Sequence, residues 1–142
     1  MRMYVFINAI LRPIQQGIQG GHVMVEMATK YRKVKGKAAT KTAEMFWQWA
    51  TEHKTVIFCS AGFNYGVENW RHFLSMKHPY PCAAFQEDPE TLGELYTAVG
   101  IVVPFKIYDM AEKMRKGERV DDYLTPFDHQ LVAKIADAAL AR

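Results

Sequence analysis

The sequence predicts one α/β domain whose core is a mixed four-stranded β-sheet covered by helices. Short β-branched and aromatic segments alternate with amphipathic helical segments along the chain, and only a short connection joins the last two strands. Strands separated by helices favour parallel pairing, whereas a short connection favours an antiparallel pair. The size agrees, because 142 residues with 49% hydrophobic and 23% charged side chains can bury a single core.

Four segments of the chain are the predicted strands, and the first of them is rich in β-branched and aromatic residues. They are residues 3–8, 55–60, 82–86 and 96–103. A turn-forming loop at residues 61–66 follows the second strand, an acidic loop follows the third, and Pro104 ends the fourth. The predicted order of elements is β-α-α-β-α-β-β-α-α.

Helical periodicity predicts helices at residues 13–31, 42–53, 67–77 and 108–116, and a last one that starts after Thr125 as N-cap and runs to residue 142. The last two form a C-terminal extension, about residues 108–142, of a single domain 1–142. Five residues of the first helix share one face, which is expected to pack on the sheet: Ile14, Ile18, Gly21, Val25 and Ala28.

Composition excludes several classes of protein. The longest apolar run, residues 97–105, is about half as long as a bilayer-spanning helix, so no membrane segment is expected. Two cysteines, Cys59 and Cys82, are no disulfide framework, and a cytoplasmic location is expected. The five histidines lack the close spacing of zinc ligands, so neither a metal ion nor another cofactor is predicted.

The net charge of +3 comes from one segment. Six cations and no acid lie between residues 30 and 41, and the remainder of the chain carries 12 basic against 15 acidic groups. Such a cluster suits a polyanion, because each cation that meets a phosphate releases counterions. A solvated loop between two helices is the alternative interpretation. The candidate anion-binding residues are Arg32, Lys33, Lys35 and Lys37.

The first helix carries a row of polar side chains. Gln15, Gln19, His22 and Glu26 follow one another at intervals that place them side by side on a helix, next to the apolar face. Glycines at positions 17, 20 and 21 cost helix stability, which indicates close approach of a ligand or tight packing on the sheet. The glycine spacing differs from that of dinucleotide-binding loops, and no acidic residue ends the second strand, so that function is excluded.

Two short motifs carry a resemblance to a known family. They are Gln19-Gly20-Gly21-His22 after the first strand, and the segment 96–104, Tyr-Thr-Ala-Val-Gly-Ile-Val-Val-Pro. Over residues 3–104 the chain resembles the archaeal and eukaryotic type of peptidyl-tRNA hydrolase (type 2). The segments Phe85-Gln86-Glu87-Asp88 and Leu95-Tyr96-Thr97-Ala98 are closer still to divergent members of that fold that are common in phage genomes.

The resemblance implies a three-layer α/β/α sandwich with strand order 2-1-4-3 and strand 4 antiparallel to the others. The ends of the first three strands and the start of the fourth would then share one edge. The residues implied to face a crevice there are Asn8, Arg12, Gln15, Gln19, Ser60, Asn64, Tyr65, Glu87, Asp88 and Thr97. Two departures matter: Gln15 stands where the family has its catalytic Lys, and residues 88–94 replace the Asp-Ala-Gly-x-Thr loop.

Three functions follow as hypotheses. The first is a divergent peptidyl-tRNA hydrolase-like enzyme acting on an RNA- or nucleotide-linked substrate, with Glu87 or Asp88 as base and Gln15, Gln19 and His22 as hydrogen-bond donors. The second is a phage-type protein that sequesters a small signalling nucleotide such as a cyclic dinucleotide, or cleaves it without metal using His22 as base. The third is an interaction module without a small-molecule site.

The expected partners follow from these hypotheses. They are a nucleotide or a tRNA-like anionic ligand, and no membrane. A second copy of the chain is also expected, because Ala138, Ala139 and Ala141 at the end of the last helix favour close helix–helix contact. For a phage-encoded protein, the compartment would be the host cytoplasm.

Overall fold

The computed structural model describes residues 1–120 and 123–141. Its strands are β1 (Arg2–Asn8), β2 (Val56–Gly62), β3 (Cys82–Gln86) and β4 (Tyr96–Val103). Its helices are α1 (Pro13–Lys30), α2 (Lys41–Gln48), which continues as a π-helical turn (Trp49–His53), α3 (Asn64–Leu74), α4 (Pro89–Leu92), α5 (Phe105–Arg115) and α6 (Pro126–Asp137). The predicted bounds of β3 and β4 are confirmed.

The four strands form one mixed sheet in the order β2-β1-β4-β3. β1 and β2 run parallel, with Phe6 opposite Cys59, and β4 runs antiparallel to both of its neighbours, β1 and β3. This arrangement confirms the predicted order 2-1-4-3 with an antiparallel fourth strand. β2 and β3 are the outer strands, and the strands most completely buried, β1 and β4, lie in the middle.

Helices cover both faces of the sheet, because side chains of each strand alternate between the two sides. On one side, Phe6 of β1 stacks on Trp70 of α3, with ring centroids 3.6 Å apart, and α5 and α6 complete this layer. On the other side, Met3, Val5 and Ile7 pack against α1 and α2. The result is the expected three-layer α/β/α sandwich.

The outward face of α1 differs from the prediction. Ile14, Ile18 and Val25 are 76%, 53% and 62% exposed, while the opposite face, which contains Gln16, Gln19, Val23 and Met27, is buried. Gly20 explains the choice of face, because a Cβ there would lie 2.2 Å from Cε1 of the Phe58 ring. The helix carries apolar residues on both sides, so periodicity alone could not identify the face that packs.

The C-terminal extension is part of the second helical layer. Leu131 and Ile135 of α6 are fully buried in the core that α3 shares. Thr125 caps α6 as predicted, since its Oγ1 accepts a hydrogen bond from the Asp128 N–H at 3.1 Å. Arg115 at the end of α5 donates to the last carbonyls of α6 at 3.0 and 3.1 Å. These contacts hold α5 and α6 together.

The predicted continuation of the last helix to residue 142 is wrong. α6 ends at Asp137, and residues 139–141 lie beside β2 instead. The Ser60 N–H donates to the Ala139 carbonyl at 2.8 Å, and the Ala141 N–H donates to the Phe58 carbonyl at 3.0 Å. An outer strand has backbone N–H and C=O groups that no neighbouring strand pairs, and residues 139–141 form hydrogen bonds with these groups of β2. Ala138, Ala139 and Ala141, which were expected to contact a second copy as part of this helix, therefore lie outside the helix.

Other boundaries also differ from the prediction. β2 extends to Gly62, and α3 begins at Asn64, so the predicted loop 61–66 is mostly strand and helix. α5 begins directly after Pro104, three residues earlier than predicted, and a short helix, α4, lies within the predicted acidic loop. Among the helices of the described ranges, none is long and apolar enough to cross a membrane.

Gly66 allows α3 to start close to the end of β2, and this generates a stability prediction. A Cβ at Gly66 would lie 1.7 Å from the Ala61 carbonyl oxygen, which is backbone and cannot rotate away. Gly66→Ala should therefore lower the free energy of unfolding by about 1–3 kcal/mol or more, the usual cost of overpacking. Gly17→Ala is the control, because a Cβ at Gly17 meets nothing within 4 Å. Urea unfolding curves measure both, and equal stability of the two variants would contradict the packing argument.

Candidate functional site

Polar side chains gather at one edge of the sheet. β1 ends there at Asn8, β2 at Gly62 and β3 at Gln86, while β4 starts there at Tyr96. Asn8 pairs with Gly62 across the sheet, and Ile7 pairs with Ala98, one position beyond Thr97. The edge is thus the one predicted for the site, where open α/β sheets bind ligands.

Three side chains form a hydrogen-bonded chain at this edge. The Thr97 hydroxyl donates to Oε1 of Gln19 at 3.0 Å, and Nε2 of Gln19 donates to Oε1 of Glu87. Thr97 and Gln19 are 2% and 8% exposed, whereas Glu87 is partly exposed. The carboxylate decides the orientation of the amide, because an ionised carboxylate only accepts hydrogen bonds. The chain joins α1, β4 and the segment after β3.

Asn8 joins the two loops on the other side of this edge. Its Nδ2 donates to Oδ1 of Asn64, the first residue of α3, and its Oδ1 accepts the Ile10 N–H at 3.1 Å. Asn8 is almost fully buried, while Asn64 is exposed. Asn8 therefore fixes the start of α3 and the turn that leads into α1, and Asn64 presents the polar surface.

The residues of the predicted polar row of α1 differ in solvent exposure. Gln19 alone is buried, whereas Gln15, His22 and Glu26 are exposed. Gln15 caps its own helix, since its Oε1 accepts the Arg12 N–H at 3.0 Å. The sequence analysis did not identify Gln16 as a polar group of the packed face. It is buried and its Nε2 donates to the Leu11 carbonyl at 2.8 Å.

His22 lies on the outer side of the hydrogen-bonded chain. Its ring stacks on the ring of Phe85, with centroids 4.4 Å apart and planes 13° from parallel. His22 is one helical turn from Gln19, and Phe85 is two residues before Glu87. The imidazole therefore faces the surface beside the site.

The remaining predicted residues lie at the periphery. Asp88 caps α4, since its Oδ1 accepts the Glu90 N–H at 3.0 Å, and this capping identifies a structural role for a residue predicted as a base. Arg12 is exposed next to the start of α1. Tyr65 is also exposed and borders a hollow of about 270 Å³ with Glu68 and His72.

A cavity of about 640 Å³ lies next to the ends of β1 and β2. Among the residues that the structure describes, none that line it carries a charge, and no local sequence pattern indicates the cavity because residues 139–141 form one of its walls. The lining residues are Ile7, Ala9, Gln16, Ser60, Ala139, Leu140 and Ala141. Cavities of this size accept small organic ligands.

The basic cluster forms a second hollow of about 400 Å³. It is lined by residues 38–40, which precede α2, and by four basic side chains: Lys30, Arg32, Lys33 and Lys37. Lys35 is exposed on the same loop. Nζ of Lys30 donates to the Cys82 carbonyl at 2.9 Å, at the start of β3. The hollow is therefore at the end of α1 that points away from the polar edge. Because a helix rises 1.5 Å per residue, Gln19 and Lys30 are separated by about 16 Å along α1.

Cys82 and His78 are neighbours but do not form a nucleophilic pair. Nδ1 of His78 accepts the Tyr80 N–H at 3.2 Å, so the ring proton is on Nε2, which lies 3.0 Å from the Leu74 carbonyl and donates to it. Nε2, 3.7 Å from the sulfur, cannot then take the thiol proton. Burial raises the pKa of the Cys82 thiol and lowers the pKa of His78, which keeps both neutral.

Comparison of the chain with models of protein families gives no match, and comparison with curated proteins gives none either. Within residues 1–120 and 123–141, no group of three or more His, Cys, Asp and Glu side chains is placed to hold a metal ion. Over the same residues every buried side-chain nitrogen and oxygen has a hydrogen-bond partner. The polar edge presents amide, hydroxyl and carboxylate groups.

The hydrogen bond from Thr97 to Gln19 can be tested by stability. Thr97→Val keeps the shape of the side chain but leaves the buried Gln19 Oε1 without its donor, so we expect the free energy of unfolding to fall by about 1–3 kcal/mol. Thr29→Val, at an exposed position of α1, is the control. Thermal or urea unfolding measures both variants, and a Thr97→Val protein as stable as the control would show that the bond is not important.

Proposed function

We propose that the protein is a divergent peptidyl-tRNA hydrolase-like hydrolase that cleaves an ester in an RNA- or nucleotide-linked substrate. One observation carries the proposal. The partly exposed carboxylate of Glu87 is held at the ligand-binding edge of the sheet by the buried pair Gln19 and Thr97. The sheet order is also the one that the family resemblance implies.

Glu87 is the group best placed to activate water. Its Oε1 accepts a hydrogen bond from Gln19, and its backbone N–H donates to the Leu95 carbonyl at 2.9 Å, so the side chain is oriented from both ends. A water molecule at the exposed side would give one proton to Glu87 as its oxygen attacks the ester carbonyl carbon. The bond to the ribose oxygen then breaks, and that oxygen takes the proton.

The neighbouring groups supply hydrogen bonds. Asn64, which contacts Asn8 at the end of β1, and His22, which stacks on Phe85, are both exposed and carry N–H groups that could donate to a developing oxyanion. The family's Lys is replaced by Gln15, whose Oε1 accepts the Arg12 N–H. The proposed mechanism therefore uses a neutral surrounding for Glu87, without a cation from this position.

The basic hollow favours a long anionic ligand. It is about 16 Å along α1 from Gln19, a distance that one nucleotide does not span but several nucleotides of an RNA do. Four basic side chains there can contact phosphates while the ester lies at Glu87. A tRNA-like substrate fits this separation, and it would place the protein in the cytoplasm, that of the host if a phage encodes it.

One observation favours a second candidate. The cavity of about 640 Å³ next to β1 and β2 has the size of a small-molecule site. A small signalling nucleotide could bind there, and the protein would sequester it or cleave it. In that case the basic hollow would not contribute to affinity, because a small ligand does not reach it.

The hydrolase proposal is tested on a peptidyl-tRNA at low salt. The wild-type protein should release the peptide, and Glu87→Gln should reduce the rate by about 10²–10⁴-fold, since the amide keeps the hydrogen bond from Gln19 but cannot take the proton. Glu90→Gln is the matched control, three residues away and exposed. An intact substrate with wild-type protein would refute the proposal, and an unchanged rate in Glu87→Gln would refute the role of Glu87.

The salt dependence of binding separates the two candidates. Lys33→Ala/Lys37→Ala removes two phosphate contacts, so the slope of log K against log salt for tRNA should become shallower by about 1.4–1.8. Lys77→Ala/Lys116→Ala, at exposed positions away from the hollow, should leave the slope unchanged. Filter binding over a salt series measures this. Equal slopes for the two double variants would contradict the role of the basic hollow in RNA binding.

A further inference from the structure

Adjoining surface hollows form a path from the basic hollow to the polar edge. Lys30 lines both the basic hollow and a hollow of about 160 Å³. Arg71 lines that hollow and also the one of about 270 Å³ that Tyr65 borders. Because neighbouring hollows share a residue, they follow one another along the surface. We refer to the hollow of about 160 Å³, between residues 74–75 at the end of α3 and residues 82–84 of β3, as the lateral groove.

The path runs along α3. Leu74, the last residue of α3, lies in the lateral groove. Tyr65, near the start of α3, follows Asn64, which contacts Asn8 at the polar edge. Because a helix rises 1.5 Å per residue, this stretch of α3 is about 14 Å long. The path therefore connects the two places that a long ligand has to reach in the proposed function.

The charges along the path select an anionic ligand. The charged residues of the lateral groove are Lys30 and Arg71, and no carboxylate lines it within the described part of the chain. The basic hollow continues the path with three more cations. Glu68, in the hollow next to Tyr65, is paired with Arg71 at 2.9 Å. A guanidinium has five N–H donors, so Arg71 keeps donors for a phosphate.

Tyr65 gives the far end of the path a surface on which a nucleobase can stack. Its side chain is 84% exposed, and Phe63, directly before α3, is 71% exposed. Proteins that bind single-stranded nucleic acids combine a positively charged groove with aromatic side chains on which the bases stack. The path has both features. An acidic peptide would use the cations alone, so the exposed aromatic residues favour a nucleic acid.

We propose that the lateral groove holds a single strand of RNA that runs from the basic hollow to the polar edge, with phosphates at Lys30 and Arg71 and a base stacked on Tyr65. The inference rests on the proposed function, since it gives the route by which a tRNA-like substrate reaches both the basic hollow and Glu87. The alternative route along the outward face of α1 offers no cation, because residues 13–29 include no Lys or Arg.

The phosphate contacts are tested by fluorescence anisotropy with a labelled single-stranded oligoadenylate of roughly ten nucleotides. Lys30→Ala/Arg71→Ala should weaken binding and make the slope of log K against log salt shallower by about 1.4, the value for two phosphate contacts to a single strand. Lys116→Ala/Arg119→Ala is the matched control, since it removes the same charge at exposed positions that line none of these hollows. Equal slopes for the two double variants overturn the route.

The base stack is tested with the same oligoadenylate. Tyr65→Ala should raise the dissociation constant by roughly 5- to 150-fold, the range for one stacked base, and should leave the salt slope unchanged. Tyr65→Phe keeps the ring and should bind like the wild type. Tyr123→Ala, at another exposed tyrosine, is the control. Wild-type affinity in Tyr65→Ala overturns the proposal, and so does a polyglutamate peptide of equal charge that competes as well as unlabelled oligoadenylate.

Failure of this proposal can be distinguished from failure of the hydrolase proposal, because the oligoadenylate carries no peptidyl ester and reports binding alone. A wild-type protein that does not bind it at low salt overturns the route, even where the protein cleaves a peptidyl-tRNA. Binding with the expected effects of the variants, but without release of peptide from peptidyl-tRNA, supports the route and refutes the hydrolase. Circular dichroism of each variant shows whether the fold is intact.

Discussion

The burial of two glutamine amides against the sheet is the constraint on which the rest of the structure depends. A buried amide without partners costs stability, so each must find donors and acceptors within the fold. Gln16 meets the Leu11 carbonyl in the turn before α1, and Gln19 meets Thr97 and Glu87. These bonds fix the height and rotation of α1 on the sheet. They also bring a carboxylate to the edge at which the strands end.

Some features of the fold could be predicted from the sequence because local patterns determine them. β3 and β4 have the predicted bounds because prolines mark them, with Pro81 before β3 and Pro104 after β4, whereas the order of the strands was implied by the family resemblance. The polar edge follows from the same order, since Asn8 and Thr97 lie at the end of β1 and the start of β4. The bounds of these strands and the position of the polar edge were therefore predictable.

The remaining features depend on tertiary packing. α1 has an aliphatic row on each side. Hydrophobic periodicity predicted that the row with Ile14 and Ile18 packs on the sheet. The opposite face packs instead, because the Phe58 ring occupies the space where a Cβ of Gly20 would be. No local signal shows that residues 139–141 leave the helix, because the partner that recruits them is β2, about 80 residues away in the sequence. The cavity of about 640 Å³, which residues 139–141 help to line, was therefore not predicted either.

α1 connects the polar edge and the basic hollow. It separates Gln19 from the basic hollow by about 16 Å, so only an extended ligand reaches both.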